Sequence, residues 1–470
     1  MAPKITFLGA GSTIFAKNVL GDCLLTPSLQ EAEIALYDID LVRLEDSRRM
    51  LEAINRRMNK NRARVYAYCG VEERRAALSG ARFVVNAIQV GGYEPSTVID
   101  FEVPKKYGIR QTIGDTLGIG GIFRSLRTIP VLLDIAREME EVCPEAWFLN
   151  YANPMAIVTG ALVRGTGVKA VGLCHSVQVC AQTLLEDVGL TVDEGALNWK
   201  IAGINHMAWL LEITEAGRDL YPVIKRRVDR ILETQGEKAS SWKPGNGEPA
   251  GSRSENRPLA RNLPVPHPDT VRLLILKHFG YYVTESSEHN AEYTPYWIKS
   301  HRPELIERYG IPLDEYPRRC RKQIEDWETL RHELTGNPSL THEKSREYAS
   351  FIMDAMETGI PFRIHGNILN RGLVPNLPVN AVVEVPCLVD RNGVQGTYVG
   401  PLPPQCAALN LTNINVQQLT IEAALAQKRD LVYQAAFLDP RCASELTLDE
   451  IRSLCDEMFE AHGSMVPKYT

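Results

Sequence analysis

Short apolar runs alternate with amphipathic segments over residues 4–150. The apolar runs predict strands at 5–8, 33–37, 64–68, 83–88, 146–149 and 168–173, and segments 41–55 and 126–141 have helical periodicity. This β-α-β-α-β order is typical of a parallel sheet covered by helices. It predicts an α/β fold whose N-terminal part, residues 1–195, is a Rossmann-type dinucleotide-binding domain.

The pattern changes towards α+β in residues 196–470. Strands are predicted at 199–204, 208–214, 381–388 and 396–399, and helices at 269–279, 313–334, 343–357, 416–436 and 448–461. Residues 235–268 are rich in Gly, Pro, Ser and charge, which indicates a long loop or a mobile flap. We expect this second domain to carry substrate, metal and oligomer contacts.

A glycine turn follows the first strand directly, in the run Gly9, Ala10, Gly11 and Ser12. Glycines at this place let the backbone turn tightly and approach a pyrophosphate, although Ile14 replaces the third glycine of the full motif. Asp38 ends the second strand, where a carboxylate binds ribose hydroxyls and favours NAD over NADP. A helix N-cap is the alternative role for this Asp.

Two further polar residues lie near the end of the predicted strand 83–88. Asn86 and Gln89 come just before a Gly-Gly turn, at the sheet edge where open α/β sheets bind ligands. They either face the nicotinamide ribose or cap the turn.

Composition and charge limit the classes of binding partner and the cellular compartment that we expect for this protein. The chain has 470 residues and a net charge of -6, with no basic patch for nucleic acid or a membrane surface. No stretch reaches the roughly 20 apolar residues of a membrane span. Its ten cysteines show no CxxC spacing, and no secretory signal is visible, so we expect a cytoplasmic protein with reduced thiols that acts on a small molecule.

A thiol and an imidazole stand side by side at Cys174 and His175, after the last predicted strand of the first domain. His206 follows a second short apolar strand. Cys and His are metal ligands, and this pair of types would suggest zinc, yet a buried Cys and a lone His are more often structural. The sequence around them decides between these interpretations.

Several long motifs strongly resemble glycoside hydrolase family 4, and within it the α-galactosidase branch. They are spread over nearly the whole chain: GAGSTIF, YDID, QVGGYEPSTVIDFEVPKKYG, TIGDTLGIGGIFRSLRTIP, NYANPMAIVTGAL, VGLCHSVQ, AGINHMAW and YYVTESSEHNAEYTPYW. The resemblance implies a hydrolase that needs NAD and Mn²⁺ or another divalent metal. It implies oxidation of the sugar at C3, removal of the C2 proton, elimination of the leaving group, addition of water and re-reduction. Such a reaction does not use the usual pair of carboxylates.

The resemblance also implies roles for particular residues. Cys174 and His206 would hold the metal against the substrate's O2 and O3, and Asn153 would contact substrate hydroxyls. His175 would be the general acid for the leaving oxygen, and an unphosphorylated substrate is favoured because phospho-sugar branches carry Asp there. Tyr293 is the first candidate for the C2 base.

Other residues of the motifs have more open roles. His289 is the second candidate for the C2 base, and Asp115 would make that base more basic. Arg124 and Arg127 either serve the site or only organise a helix.

Three alternatives remain open from sequence. The substrate could be an α-glucoside or an α-galacturonide, which the same family also hydrolyses. A 2-hydroxy-acid dehydrogenase shares the early fold, but such chains are usually much shorter and lack the Cys and His pair. A sugar and NAD sensor without catalysis is the third. We expect a homodimer or homotetramer, because family members generally assemble in this way.

Overall fold

The computed structural model describes residues 2–240 and 266–470, with side chains omitted for 235–240. The described strands are β1 Lys4–Leu8, β2 Glu33–Asp38, β3 Arg64–Cys69, β4 Phe83–Asn86, β5 Trp147–Asn150, β6 Lys169–Gly172, β7 Leu197–Ile204, β8 Met207–Glu215, β9 Arg218–Asp219, β10 Tyr282–Val283, β11 Phe362–Leu369, β12 Val382–Asp390 and β13 Gly393–Gly396.

Helices cover both faces of the sheet that these strands form. They are α1 Thr13–Leu25, α2 Leu41–Asn59, α3 Val71–Leu78, α4 Val98–Lys106, α5 Gly118–Val142, α6 Met155–Gly165, α7 Ser176–Asp187, α8 Tyr221–Ser240, α9 Thr270–Phe279, α10 Ser287–Tyr293, α11 Glu304–Tyr309, α12 Glu315–Gly336, α13 Tyr348–Thr358, α14 Pro404–Ala426, α15 Arg429–Leu438, α16 Pro440–Glu445 and α17 Leu448–His462. Within the described ranges, no helix has the length and apolar character needed to cross a membrane.

The first six strands are parallel and lie in the order β3-β2-β1-β4-β5-β6. This is the doubly wound order of a Rossmann fold, which confirms the predicted fold class. Successive side chains of β4 point to opposite faces, with Phe83 and Val85 in one apolar cluster and Val84 in the other. The central strands β1, β2, β4 and β5 are buried on both faces and largely apolar, whereas the edge strand β3 is partly exposed along its whole length.

The sheet does not end at β6. β11, β12, β7 and β8 continue it with antiparallel pairing, so that one sheet runs through both predicted domains. At the junction, Gly172, Asn367, Glu384 and Gly203 are direct neighbours in one row across four strands. This row places the ends of β6 and β7 at the same level of the sheet, with β11 and β12 between them. The division at residue 195 remains a prediction.

Several predicted boundaries are wrong. The helix predicted over 343–357 begins only at Tyr348, because the preceding residues are held against α1. The helix predicted over 416–436 is two helices, α14 and α15. The strand predicted at 396–399 lies at Gly393–Gly396, and β4 ends at Asn86 instead of residue 88.

The segment predicted as a loop or flap over 235–268 can be compared with the structure only at its ends. Residues 235–240 belong to α8, whereas 241–265 lie outside the described residues. The remaining residues, 266–268, lead into α9.

Candidate active site

The glycine turn after β1 packs closely against the backbone of the neighbouring strands. Gly9 has a φ of +83°, and a Cβ there would lie 2.7 Å from the carbonyl oxygen of Ala87. The N–H groups of Gly9 and Ala10 both donate to the carbonyl of Tyr37 at 3.0 Å. Glycine is therefore required at position 9 to bring the turn down onto the sheet.

Helix α1 begins directly after this turn and offers unused N–H groups. Its N-cap, Ser12, is exposed and makes no capping side-chain bond. The free donors at a helix N-terminus attract an anion such as a pyrophosphate. Ile14, at the third motif position, is 45% exposed, so a side chain is tolerated there. The turn and the helix fit a dinucleotide.

Asp38 points into the glycine turn. Its carboxylate accepts the N–H of Gly11 at 2.6 Å and the N–H of Asp40 at 2.9 Å. The helix N-cap is Asp40, whose side chain accepts from the backbone of Val42 and Arg43. The alternative role considered for Asp38 thus belongs to Asp40, and Asp38 keeps the position expected of a ribose-binding carboxylate.

Asn86 and Gln89 behave differently from each other. Asn86 is fully buried and donates to the side-chain oxygen of Asn150 at 2.8 Å, which joins β4 to β5. The structure therefore does not place Asn86 at the cofactor surface. Gln89 is exposed at the sheet edge and donates to the Thr97 hydroxyl at 3.3 Å, so it stays a candidate for cofactor contact.

A compact set of metal-ligating groups lies at the carboxyl end of β6. The ligand atoms of Cys174, His206 and Glu285 all lie within 4.8 Å of one another. Cys174 follows β6, His206 lies in the turn between β7 and β8, and Glu285 follows β10. The structure brings the two predicted ligands together and adds the carboxylate, which the sequence reasoning missed.

Two of these three residues have a left-handed backbone. His206 has a φ of +62° and Glu285 a φ of +66°. Such values are uncommon outside glycine and cost free energy, so they persist where the surrounding structure holds a side chain in place for a function.

The two ring nitrogens of His206 have separate partners. Nδ1 lies 2.9 Å from the hydroxyl of Tyr293, and Nε2 lies 3.6 Å from a carboxylate oxygen of Glu285. Because Nδ1 is engaged, Nε2 is the nitrogen left to bind a metal with Cys174 and Glu285. The added carboxylate oxygen improves the fit to Mn²⁺, which prefers oxygen ligands, over a site of thiolate and imidazole alone.

Electrostatics at this cluster favour a cation. Burial raises the pKa of the Cys174 thiol, and the nearby carboxylates of Glu384 and Glu285 raise it further. Burial also opposes ionisation of Glu285, but the charges of His206 and His289 outweigh it and lower the pKa of that carboxyl. A divalent ion would stabilise both anions, since a coordinated thiol loses its proton.

The two candidates for the base lie on α10, next to the metal ligands. Tyr293 is almost completely buried, and burial raises the pKa of its phenol well above 10. His289 is also buried, which lowers the pKa of its imidazole. Its Nδ1 lies 3.4 Å from Glu285 and its Nε2 lies 4.0 Å from Asp115. Both predicted bases are therefore in the site.

Asp115 joins these groups to Asn153. It accepts from the Asn153 amide at 3.1 Å and from the Thr116 hydroxyl at 2.7 Å. Burial opposes its ionisation, but the charge of Arg124 and then that of His289 lower the pKa of Asp115 below its ordinary value. Arg124 also donates to the carbonyl of Asn153 at 3.2 Å, so this arginine supports the site.

Arg127 has a structural role. Its guanidinium is fully buried and makes two hydrogen bonds to Asp100, at 2.9 and 2.6 Å, which join α5 to α4. It also donates to the carbonyl of Val90 in the turn after β4.

His175 is exposed at the rim of the cluster and is bonded to a glutamate far away in sequence. Its Nε2 lies 2.5 Å from a carboxylate oxygen of Glu347. This hydrogen bond raises the pKa of His175 above its ordinary value. Cys174 and His175 thus point to different partners, as adjacent residues with separate tasks should.

Sequence reasoning missed several carboxylates around the site, among them Glu285, Glu292 and Glu347. Glu285 and Glu292 lie inside a recognised motif, but nothing in the sequence separates them from the neighbouring Glu288. Glu292 is buried and accepts the N–H groups of Thr112 and Gly114 at 2.8 Å, which holds the loop that carries Asp115. Glu347 lies outside every motif, so no local signal could have found it.

A glycine turn suited to a dinucleotide and a cluster of residues able to hold a metal ion lie at one edge of a doubly wound sheet, a fold that lactate and malate dehydrogenases share. Residues 4–190 match the family described as "Family 4 glycosyl hydrolase", and residues 201–442 match "Family 4 glycosyl hydrolase C-terminal domain". The chain belongs to this family of glycosidases, which confirms the predicted resemblance.

Individual relatives agree with this assignment. An α-galactosidase from Bacillus subtilis (strain 168) is 56% identical over 466 residues, which are 99% of each chain. The structure of a putative glucosidase, LplD, from Bacillus subtilis has a TM-score of 0.80 and 26% identity, covering 97% of this chain and 99% of that one. A 6-phospho-α-glucosidase from gut microorganisms, solved with NAD and Mn²⁺, has a TM-score of 0.76 and 18% identity over 100% of both chains, and shows the shared fold.

Proposed function

We propose that this protein hydrolyses small, unphosphorylated α-galactosides such as melibiose, with NAD and Mn²⁺ as cofactors. The observation that carries the proposal is the cluster of Cys174, His206 and Glu285, placed on the same sheet edge as the glycine turn. The α-galactosidase from Bacillus subtilis, 56% identical over 99% of the chain, supports the choice of substrate.

When bound, NAD accepts and returns a hydride, and the divalent metal acts as a Lewis acid towards the sugar hydroxyls. The N–H groups of the first turn of α1, after Ser12, and the carboxylate of Asp38 would hold the dinucleotide, and Gly9 and Gly11 would let it approach the turn closely. Cys174 and His206, together with Glu285, would hold the metal.

The protein's own residues then move protons and orient the sugar. Tyr293 is our first candidate for removing the C2 proton, and His289 is the second. Asp115 keeps its charge beside His289 and orients Asn153, which would bind substrate hydroxyls. His175, at the exposed rim, would give a proton to the leaving glycosidic oxygen.

Hydrolysis of three nitrophenyl α-glycosides tests the proposal. We expect the galactoside to be cleaved faster than the glucoside and the galacturonide, and activity to disappear when NAD or Mn²⁺ is omitted. In D₂O, deuterium should enter C2 of the released sugar. Full turnover by enzyme stripped of NAD and treated with EDTA would contradict the mechanism, and preference for another glycone would contradict the substrate.

The same proposal includes a homodimer or homotetramer in the cytoplasm. Leu438, at the end of α15, is 51% exposed and is a candidate for a subunit seam. All ten cysteines are free thiols, which suits a reducing compartment. Light scattering coupled to gel filtration measures the assembly, and a monomer at micromolar concentration would contradict it. Cell fractionation tests the compartment.

A further inference from the structure

We propose that Glu347 is a positioning residue, which fixes the ring of His175 for proton donation to the leaving oxygen. The inference rests on the proposed function, because it assigns the support of the general acid within that reaction. No recognised motif contains Glu347, and the residue is brought to the site by the tertiary fold alone.

The contact pairs an exposed ring with a buried carboxylate. The His175 side chain is 54% exposed, whereas that of Glu347 is 11% exposed. An exposed histidine at a helix N-cap would sample several rotamers. Glu347 is buried and already fixed, so its hydrogen bond restricts the His175 ring to one orientation. The exposed face of the ring remains open to a leaving group.

The bond also selects the nitrogen that can act. Because Nε2 lies 2.5 Å from Glu347, Nδ1 is the nitrogen left to donate a proton. In the step itself, the electron pair left at C2 forms the C1=C2 double bond, the C1–O bond breaks with its electron pair passing to the oxygen, and the Nδ1 proton is transferred to that oxygen. The neutral ring then keeps its proton on Nε2, where the carboxylate of Glu347 accepts the hydrogen bond.

Glu347 is directed to His175 by its place in the chain. It is the N-cap of α13, yet its side chain makes no capping bond to that helix. Its own N–H donates to the hydroxyl of Ser345 at 3.1 Å. The carboxylate is thus withdrawn from local capping and turned towards another element.

The segment before α13 is in turn held by the helix of the dinucleotide turn. Asp22, fully buried on α1, lies 2.6 Å from Nε2 of His342 and accepts the N–H and the hydroxyl of Ser345 at 2.8 and 2.5 Å. The His342 ring packs on Gly21, where a Cβ would lie 2.6 Å from it. A continuous set of contacts therefore runs from α1 through Ser345 and Glu347 to His175.

Two substrates with different leaving groups test the proposal in the holoenzyme with NAD and Mn²⁺. Melibiose has a poor leaving group that needs a proton, and 4-nitrophenyl α-galactoside has one that leaves without it. For Glu347→Gln we expect kcat on melibiose to fall about 10- to 100-fold, part of the 10²- to 10⁴-fold that a general acid supplies. On the nitrophenyl substrate kcat should change by less than about 3-fold.

Isotope exchange gives a second readout that a purely structural role would not change. When departure of the leaving group becomes slow, the C2 proton is removed and returned before elimination. Unreacted melibiose recovered from D₂O should then carry more deuterium at C2 with Glu347→Gln than with the wild type. Glu347→Asp should restore part of the melibiose rate.

Three further variants separate the role of Glu347 from other effects of substitution in this segment. Glu343→Gln removes an exposed carboxylate from the same segment and should leave both rates unchanged. Ser345→Ala loosens Glu347 without touching its carboxylate and should lower only the melibiose rate, by a smaller factor. In a His175→Ala background, Glu347→Gln should have no further effect, since the two residues act as one unit.

An equal loss on both substrates, or no loss on either, would overturn the role of Glu347. Failure of the proposed function appears elsewhere: wild-type enzyme would then not need NAD and Mn²⁺ for galactoside hydrolysis. If Glu347→Gln does not fold, Glu347→Asp and Ser345→Ala still decide.

Discussion

Glu285 illustrates what a single side chain adds to the site. Cys174 and His206 offer one sulfur and one nitrogen, and the carboxylate of Glu285 supplies the oxygen that a hard cation prefers. Its left-handed backbone turns the side chain towards His206 instead of along the strand. The motifs in the sequence predicted Cys174 and His206 as ligands. Glu285 is one of several acids in its motif, and only its distance from the other two ligand atoms identifies it as the third.

The metal ligands give the first prediction. Cys174→Ala and His206→Ala should each lower kcat by at least about 100-fold, because even changes around a metal's direct ligands cost about 10- to 100-fold. NAD binding, followed by fluorescence, should be nearly unchanged, since the glycine turn is separate. Cys69→Ser, a half-buried thiol at the end of β3, is the control. Wild-type activity of either ligand variant after EDTA treatment would contradict the assignment.

Asp38 gives the second prediction. Asp38→Asn should weaken NAD binding about 10-fold and reduce the preference for NAD over NADP, because the carboxylate that binds ribose and repels a 2′-phosphate loses its charge. Calorimetric titration of both nucleotides measures this. Asp40→Asn is the matched control, since Asn caps a helix as well as Asp does and should leave both affinities unchanged.

At the scale of elements, buried ion pairs hold the helices that frame the site. Arg127 and Asp100 join α5 to α4, and His462 of α17 lies 3.0 Å from the same Asp100 carboxylate. The helical periodicity of α5 was visible in the sequence. The periodicity did not show that Arg124 would reach the site and that Arg127 would be buried in an ion pair. Those positions depend on the helices packed around α5.

That pair gives the third prediction. Arg127→Ala should lower the free energy of unfolding by about 3–5 kcal/mol, because the buried side chain of Asp100 would lose its guanidinium partner. Arg137→Ala, on the same helix, breaks an exposed pair with Asp134 and should cost no more than about 1 kcal/mol. Urea denaturation compares the two. Similar losses for both variants would show that the burial of the Arg127 pair does not matter.

Some element boundaries depend on long-range contacts that the local sequence pattern does not show. The start of α13 was predicted too early because residues 343–347 have helical periodicity, but Ser345 bonds to Asp22 and keeps the segment out of the helix. A contact between residues 323 positions apart leaves no mark on local periodicity. β11 was not predicted at all, although its eight residues link the parallel strands to the antiparallel ones.

For the whole molecule, one sheet connects the dinucleotide turn to the metal cluster. Ligands that bind the folded state should therefore stabilise the entire chain. At about 100 times its Kd, NAD should add about 2.7 kcal/mol to the free energy of unfolding. Thermal unfolding with and without NAD measures this as a rise in Tm, which Asp38→Asn should reduce at the same NAD concentration. An unchanged Tm on addition of NAD would contradict the dinucleotide site.

The sequence by itself determined the parallel α/β core, the glycine turn with Asp38, and the motifs that contain Cys174, His175, His206 and Tyr293. These features are local: periodicity and short motifs carry them in neighbouring residues. Tertiary structure alone decided that Asn86 is buried against Asn150, that Glu285 joins the candidate metal ligands, and that Glu347 reaches His175. The physical reason is that each of these contacts joins residues far apart in the chain, so it depends on how strands and helices pack in the folded molecule and leaves no local pattern.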